Sequence, residues 1–239
     1  MADFLLIHGS CHGAWCWDDV IPHLQAAGHT ARAIDLPSHG ADQTPAQDVT
    51  LDLYAQAIVD AIDTPVILVG HSMAGYPITA AANLAPHKID QLIYLCAYVP
   101  FAGKTLAEMR RMAPSQPLLD AIVVDEARVT FSVDPAKAAA KFFHDVPTAR
   151  AAWAVSMLGP QPILPQETPL TARHTLPRHY IICTDDRTIP PEFQYTMTND
   201  WPVETVTEMP TSHSPFLADP AGLAARLIQI AAGKERGEA

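Results

Sequence analysis

Four short stretches of this chain are apolar with almost no interruption: "FLLI" (Phe4–Ile7), "PVILVG" (Pro65–Gly70), "QLIYLC" (Gln91–Cys96) and "HYIICT" (His179–Thr184). A strand with one wet face alternates apolar and polar residues, because successive side chains point to opposite faces. These runs do not alternate, so both of their faces must be covered, as in a parallel sheet flanked by helices. "HTARAI" (His29–Ile34) and "VETVTE" (Val203–Glu208) read as further strands. Between them, helical spacing runs over Trp15–Ala27, Leu51–Ile62, Tyr76–Leu84 and Ala221–Ala232, and Asp219-Pro220 offers an N-cap with proline at the first helical position. Strand–helix alternation of this kind predicts a doubly wound, mostly parallel α/β sheet. At 239 residues, the chain suits a single domain over 1–239. Because 49% of it is hydrophobic and only 7% aromatic, aliphatic side chains and alanine must fill most of the core.

One region departs from that rhythm. From Ala97 to Pro177 no strong strand is evident, and prolines recur at 100, 114, 117, 135, 147, 160, 162, 165, 169 and 177. Helix-like pieces ("KTLAEMRRM", "PAKAAAKFF", "PTARAAWAVSML") lie between those breaks. An insertion this long inside a sheet fold is expected to be a small helical cap, about 97–177, rather than a structureless loop.

Charge and cysteine usage bound the setting. A net charge of −11 argues against a nucleic-acid partner and against anionic membrane surfaces. The opening "MADFLLIHGS" has no basic segment, and its apolar run is too short for a signal peptide or a membrane span. Cys11, Cys16, Cys96 and Cys183 show no C-x-x-C spacing and read as reduced packing thiols, so a cytoplasmic location is expected and a Cys11–Cys16 disulfide is not. A homodimer stays open.

The chemistry gathers at strand ends, where open α/β sheets collect functional groups. "LVGHSMAGYP" (Leu68–Pro77) has strand–turn–helix context and nearly matches G-x-S-x-G, with Ala74 where the second glycine belongs and Gly75 one place late. Ser72 is therefore a candidate nucleophile; its competing role is a plain N-cap behind a buried strand. "HGSCHGAW" (His8–Trp15) can supply a backbone N–H to an oxyanion, from Ser10, with Met73 N–H as the second donor. His8 and His12 have H-x3-H spacing, but no third ligand accompanies them, so a metal site is not expected. "CTDDRTIP" (Cys183–Pro190) offers two acids, of which Asp186 is favoured by its D-x-x-I-P setting and Asp185 reads as a solvated turn residue, and "PTSHSP" (Pro210–Pro215) offers His213 as general base. Each of these loops also has a bland reading as an ordinary turn. Their order along the chain, Ser72, Asp186, His213, is that of the α/β-hydrolases, and this agreement favours the catalytic reading.

With those residues in place, the chain resembles the plant methyl-ester esterase and hydroxynitrile lyase group of α/β-hydrolases. The likeness runs over nearly the whole chain and is strongest in "LIHGSCHGAWCW", "GHSMAG" and "YIICTDDRTIPPEFQ". It implies Ser72 as nucleophile, His213 as base, Asp186 as orienting acid, and an oxyanion hole from the N–H groups of Ser10 and Met73. The lyases carry threonine at the position of Gly9 and lysine at that of Ser214; this chain has neither, which favours ester hydrolysis. Two departures, Ala74 and Ser38 where relatives have glycine, remove no catalytic group. The expected activity is a serine carboxylesterase acting on small hydrophobic or aromatic esters, with no metal or organic cofactor required. Trp153 and Phe101 are candidate walls of the substrate pocket. A hydroxynitrile lyase and a slow-turnover binding protein on the same fold are the alternatives.

Overall fold

The computed structural model describes residues 1–237. Along the chain, β1 (Asp3–Ile7), β2 (Thr30–Ile34), β3 (Val66–His71) and β4 (Ile89–Leu95) come first. They are followed by β5 (Ile122–Val124), β6 (Thr130–Val133) and β7 (Gln161–Pro162), and then by β8 (Arg178–Cys183) and β9 (Val206–Met209). Six of these form one sheet in the order β2-β1-β3-β4-β8-β9, and every neighbouring pair in it is parallel. The helices are α1 (Ile21–Ala26), α2 (Leu51–Asp60), α3 (Gly75–Leu84), α4 (Leu106–Met112), α5 (Pro135–Phe142), α6 (Thr148–Met157), α7 (Pro191–Thr198), α8 (Pro215–Ala218) and α9 (Pro220–Gly237).

The unbroken apolar runs are explained by two cores, one on each face. Leu5, Ile7, Leu68, Leu92, Tyr180 and Ile182 point into a core shared with α2 and α3. Their chain neighbours Phe4, Leu6, Val69, Ile93, Ile181 and Cys183 point into a second core with α1 and α9. Each aliphatic side chain buried in this way contributes about 1.5–3 kcal/mol relative to exposure. The register Ile7↔Gly70, His71↔Leu95, Leu95↔Ile181 and Cys183↔Met209 lines up the carboxyl ends of the strands. The loops after β1, β3, β8 and β9 therefore emerge on one edge of the sheet.

Local boundaries shift for identifiable reasons. The segment expected as one helix from Trp15 is a short 3₁₀ turn, Ala14–Trp17, followed by α1, whose start is set by Pro22 at its first turn. The strand expected from Val203 begins at Val206, after a 3₁₀ turn. The larger correction concerns the insertion between β4 and β8. It holds α4, α5 and α6, yet it also folds β5, β6 and β7 into an antiparallel sheet of its own, so it is mixed rather than helical. "IVV" and "TFSV" are β-branched runs either side of a turn in which Asp125 accepts from Val129 N, Thr130 N and Thr130 Oγ1. Each strand is four residues or fewer, too short for its periodicity to stand out among the prolines. No helix among the described residues is long and apolar enough to cross a membrane.

Candidate active site

Ser72 follows β3 directly and sits at φ +56°, a left-handed conformation that costs a non-glycine residue strain. Its surroundings keep it there. Tyr98 donates its N–H to the Ser72 carbonyl at 3.0 Å, and α3 begins three residues later. The turn is tight enough that a Cβ added at Gly70 would stand 2.8 Å from Ile78 Cδ1 and 3.0 Å from the Ala74 carbonyl. The methyl of Ala74 is accommodated, fully buried in the core. Gly75 is the residue with no room, since a Cβ there would lie 2.1 Å from the Tyr98 carbonyl oxygen.

A continuous hydrogen-bonded chain reaches Ser72. His213 Nδ1–H donates to Asp186 Oδ2 at 2.7 Å, which leaves Nε2 to accept from the Ser72 hydroxyl at 2.9 Å. Asp186 Oδ1 takes Thr188 N–H at 2.6 Å and Ile189 N–H at 3.0 Å, and Oδ2 also takes Gln194 Nε2 at 2.9 Å. Four donors around a carboxylate fix its plane, and through it the ring of His213. Asp185, the competing acid, is exposed and makes only main-chain contacts here, its carbonyl accepting from His144 Nε2 at 2.9 Å. Behind the base, His71 Nε2–H donates to the His213 carbonyl at 2.8 Å. Burial, helped by the nearby His213 and His12, holds the His71 pKa well below its usual value, so the ring stays neutral.

The loop after β1 packs against the elbow. His8 donates from Nδ1 to the Gly9 carbonyl at 2.9 Å and accepts Leu36 N–H at Nε2 at 3.0 Å, which uses both of its ring nitrogens. His12 Nδ1 donates to the Ser10 carbonyl at 2.8 Å, and burial pushes its pKa down to about 4. Gly9 touches the elbow so closely that a Cβ would stand 2.8 Å from Ser72 Cβ. Ser10 and Ser72 line one cleft, and Met73 follows Ser72 into the core. Two glutamines hold the loop from the insertion: Gln166 Nε2 donates to Ser10 Oγ at 2.8 Å, and Gln161 Oε1 accepts from His39 Nε2 at 3.1 Å and Cys11 N–H at 3.4 Å. Neither glutamine carries a sequence signal, because its partner lies about 150 positions away.

Residues 4–226 match the alpha/beta hydrolase family. The chain belongs to this family. Among its relatives, Methylesterase 4 of Arabidopsis thaliana is 30% identical over 95% of both chains. Salicylic acid-binding protein 2 of Nicotiana tabacum is 29% identical over 95% of this chain and 96% of its own. Among solved structures, a pyrethroid hydrolase from Sphingobium faniae superposes with a TM-score of 0.85 at 28% identity, covering 96% of this chain and 97% of that one.

In this alpha/beta hydrolase the cleft above Ser72 holds about 580 Å³ of atom-free space, its open mouth included. Its apolar wall comes from Leu106, Leu118, Leu119, Phe131, Val133 and Phe142. Neither aromatic residue expected there is part of it. Trp153 packs edge-on against Trp15 at 5.2 Å under the Arg150 guanidinium, because α6 docks back onto the loop after β1 through an Arg150–Asp19 ion pair at 2.7 Å. Phe101 lies with Val99 and Trp201 at a separate surface groove, where the chain leaves the sheet. Ser38 occupies φ +68°, a left-handed conformation that glycine adopts at no steric cost. All four cysteines are buried, and burial raises the pKa of Cys11 to about 12 and lifts that of Cys16 and Cys96. Among the described residues, His71, Cys96 and His213 have ligand atoms within 4.8 Å of one another. Both ring nitrogens of His213 are already engaged, which leaves no lone pair there for a metal.

Proposed function

We propose that this alpha/beta hydrolase is a serine carboxylesterase cleaving small hydrophobic or aromatic esters through an acyl-enzyme on Ser72. The observation that carries the reading is the unbroken Asp186–His213–Ser72 chain ending at an apolar cleft. His213 Nε2 removes the Ser72 proton as Oγ attacks the ester carbonyl, and Asp186 stabilises the imidazolium that forms. The N–H groups of Ser10 and Met73 hold the oxyanion. His213 then protonates the departing alcohol, and a water activated by the same nitrogen hydrolyses the acyl-enzyme. The insertion at 97–177 acts as a cap that excludes bulk water and shapes the acyl and alcohol sites. The relatives' names fit this reading: methylesterase and pyrethroid hydrolase both describe ester cleavage. Cyanohydrin cleavage is disfavoured by Gly9, whose contact with Ser72 leaves no space for a threonine side chain. The buried thiols and net charge of −11 support a cytoplasmic enzyme acting on small molecules.

Labelling with a fluorophosphonate probe, followed by peptide mass analysis, should place the adduct on Ser72. Ser72→Ala should abolish labelling and lower ester turnover by about 10,000-fold or more. Unchanged turnover in that variant would overturn the assignment, and labelling without turnover on any ester would favour a binding protein.

A further inference from the structure

The apolar cleft wall is interrupted by one charged side chain, Arg110, near the carboxyl end of α4. Its residue is half-buried, and its Nε is buried with no hydrogen-bond partner. Several other cations of the molecule have acidic partners: Arg32 with Asp3, Lys141 with Asp120, Arg150 with Asp19, and Lys104, just before the same helix, with Glu108 in its first turn. Among the described residues, Arg110 makes no ion pair and its guanidinium donates to no side chain or carbonyl. No aspartate or glutamate lines the cleft, so the wall itself contains no counter-ion. Arg110 lines the same cleft as Ser72 and Tyr98, whose N–H bonds the Ser72 carbonyl.

A guanidinium presents donors in a planar fork that matches a carboxylate, and leaving it partly desolvated without an acceptor is unfavourable. A chain of net charge −11 has no shortage of carboxylates, yet it places none opposite this arginine. We propose that Arg110 is a specificity residue that pairs with a carboxylate on the substrate, so that the preferred esters carry a second, anionic carboxyl group. Such substrates are half-esters of dicarboxylic acids, with the anion on the acyl side, or esters of carboxylated phenols and alcohols, with it on the leaving group. The proposal rests on the esterase reading and adds a charge to its substrate. Ser115 and Gln116, on the same wall, can donate to the carboxylate's remaining lone pairs.

Two matched pairs of esters test it. On the acyl side, 4-nitrophenyl hydrogen glutarate is compared with 4-nitrophenyl 5-methylhexanoate; on the leaving-group side, 4-acetoxybenzoate is compared with its methyl ester. The wild-type enzyme should favour the anion in at least one pair by about tenfold or more in kcat/KM, as expected when a buried polar group would otherwise go unpaired. Arg110→Met should remove that preference, with fluorophosphonate labelling of Ser72 retained as the report that the variant is folded, and Arg110→Lys should restore part of it. No preference in either pair, or one that persists in Arg110→Met, would overturn the assignment. Calorimetry with glutarate reads the same contact without turnover: binding lost in Arg110→Met supports it, and equal or absent binding in both proteins counts against it. Failure to turn over all four esters with no label on Ser72 would instead sink the esterase reading, with the glutarate result still deciding the role of Arg110.

Discussion

The strand-end loops and the insertion meet at the same cleft but are built on opposite terms. The loops hold reacting atoms at fixed distances by main-chain strain and buried hydrogen bonds: Ser72 at φ +56°, and Asp186 under four donors. The insertion supplies the apolar wall and Arg110 from short elements with exposed edges, and grips the catalytic edge through Gln161 and Gln166. The difference separates two kinds of consequence. Changes on the sheet side should alter catalysis of every ester alike, whereas changes in the insertion should alter which ester is favoured.

The strongest attempt to break that division is Asp186→Asn. The oxygen of the new amide would stay with the Thr188 and Ile189 N–H groups, turning its NH₂ toward His213 Nδ1. The imidazole would then carry its proton on Nε2 and could not accept from Ser72, so kcat should fall about 10,000-fold on neutral and anionic esters equally. A loss confined to one ester class would show that the two regions are not separable.

The glycine pair of the elbow comes next. Gly75→Ala forces a methyl onto the Tyr98 carbonyl, a main-chain atom that cannot swing aside, and should lower stability by about 1–3 kcal/mol or more in urea unfolding. A neutral result would mean that the α3 start can move without disturbing Ser72.

Acid should weaken the catalytic edge before the rest. His8, His12 and His71 are held neutral by burial, with His12 at about 4 and the other two well below their usual value. An unfolded histidine titrates near about 6.5, so between that pH and about 4 the unfolded chain binds more protons than the folded one. Stability is therefore full above about 6.5 and is lost as pH falls, by up to about 1.4 kcal/mol per unit for each histidine. Thermal unfolding across pH 4–7 checks this, and a flat profile down to about pH 4.5 would contradict it. The smallest effect is expected for Ala74→Gly, which removes a methyl the turn already accommodates. Activity should stay within about tenfold, a barrier change of about 1.4 kcal/mol.

Much of the sheet was legible because burial on both faces leaves a one-dimensional trace. "FLLI", "PVILVG", "QLIYLC" and "HYIICT" each correspond to a strand whose alternate residues enter separate cores. Ser72, Asp186 and His213 were legible as candidates because each follows a strand within a few residues, in a recognisable order. The insertion was not. Its strands are two to four residues long, and its partners lie across the chain, as Trp153 does in packing on Trp15.

Sequence by itself determined the doubly wound sheet, the edge at which loops collect, and the three side chains to examine there. Those depend on local periodicity and chain order. Tertiary structure alone decided that four donors converge on Asp186, that Gly75 rather than Ala74 is the sterically constrained residue of the elbow, and that Arg110 stands unpaired in the cleft. Each of those depends on which atoms from distant segments come within a few ångströms, and close packing leaves room for only one arrangement.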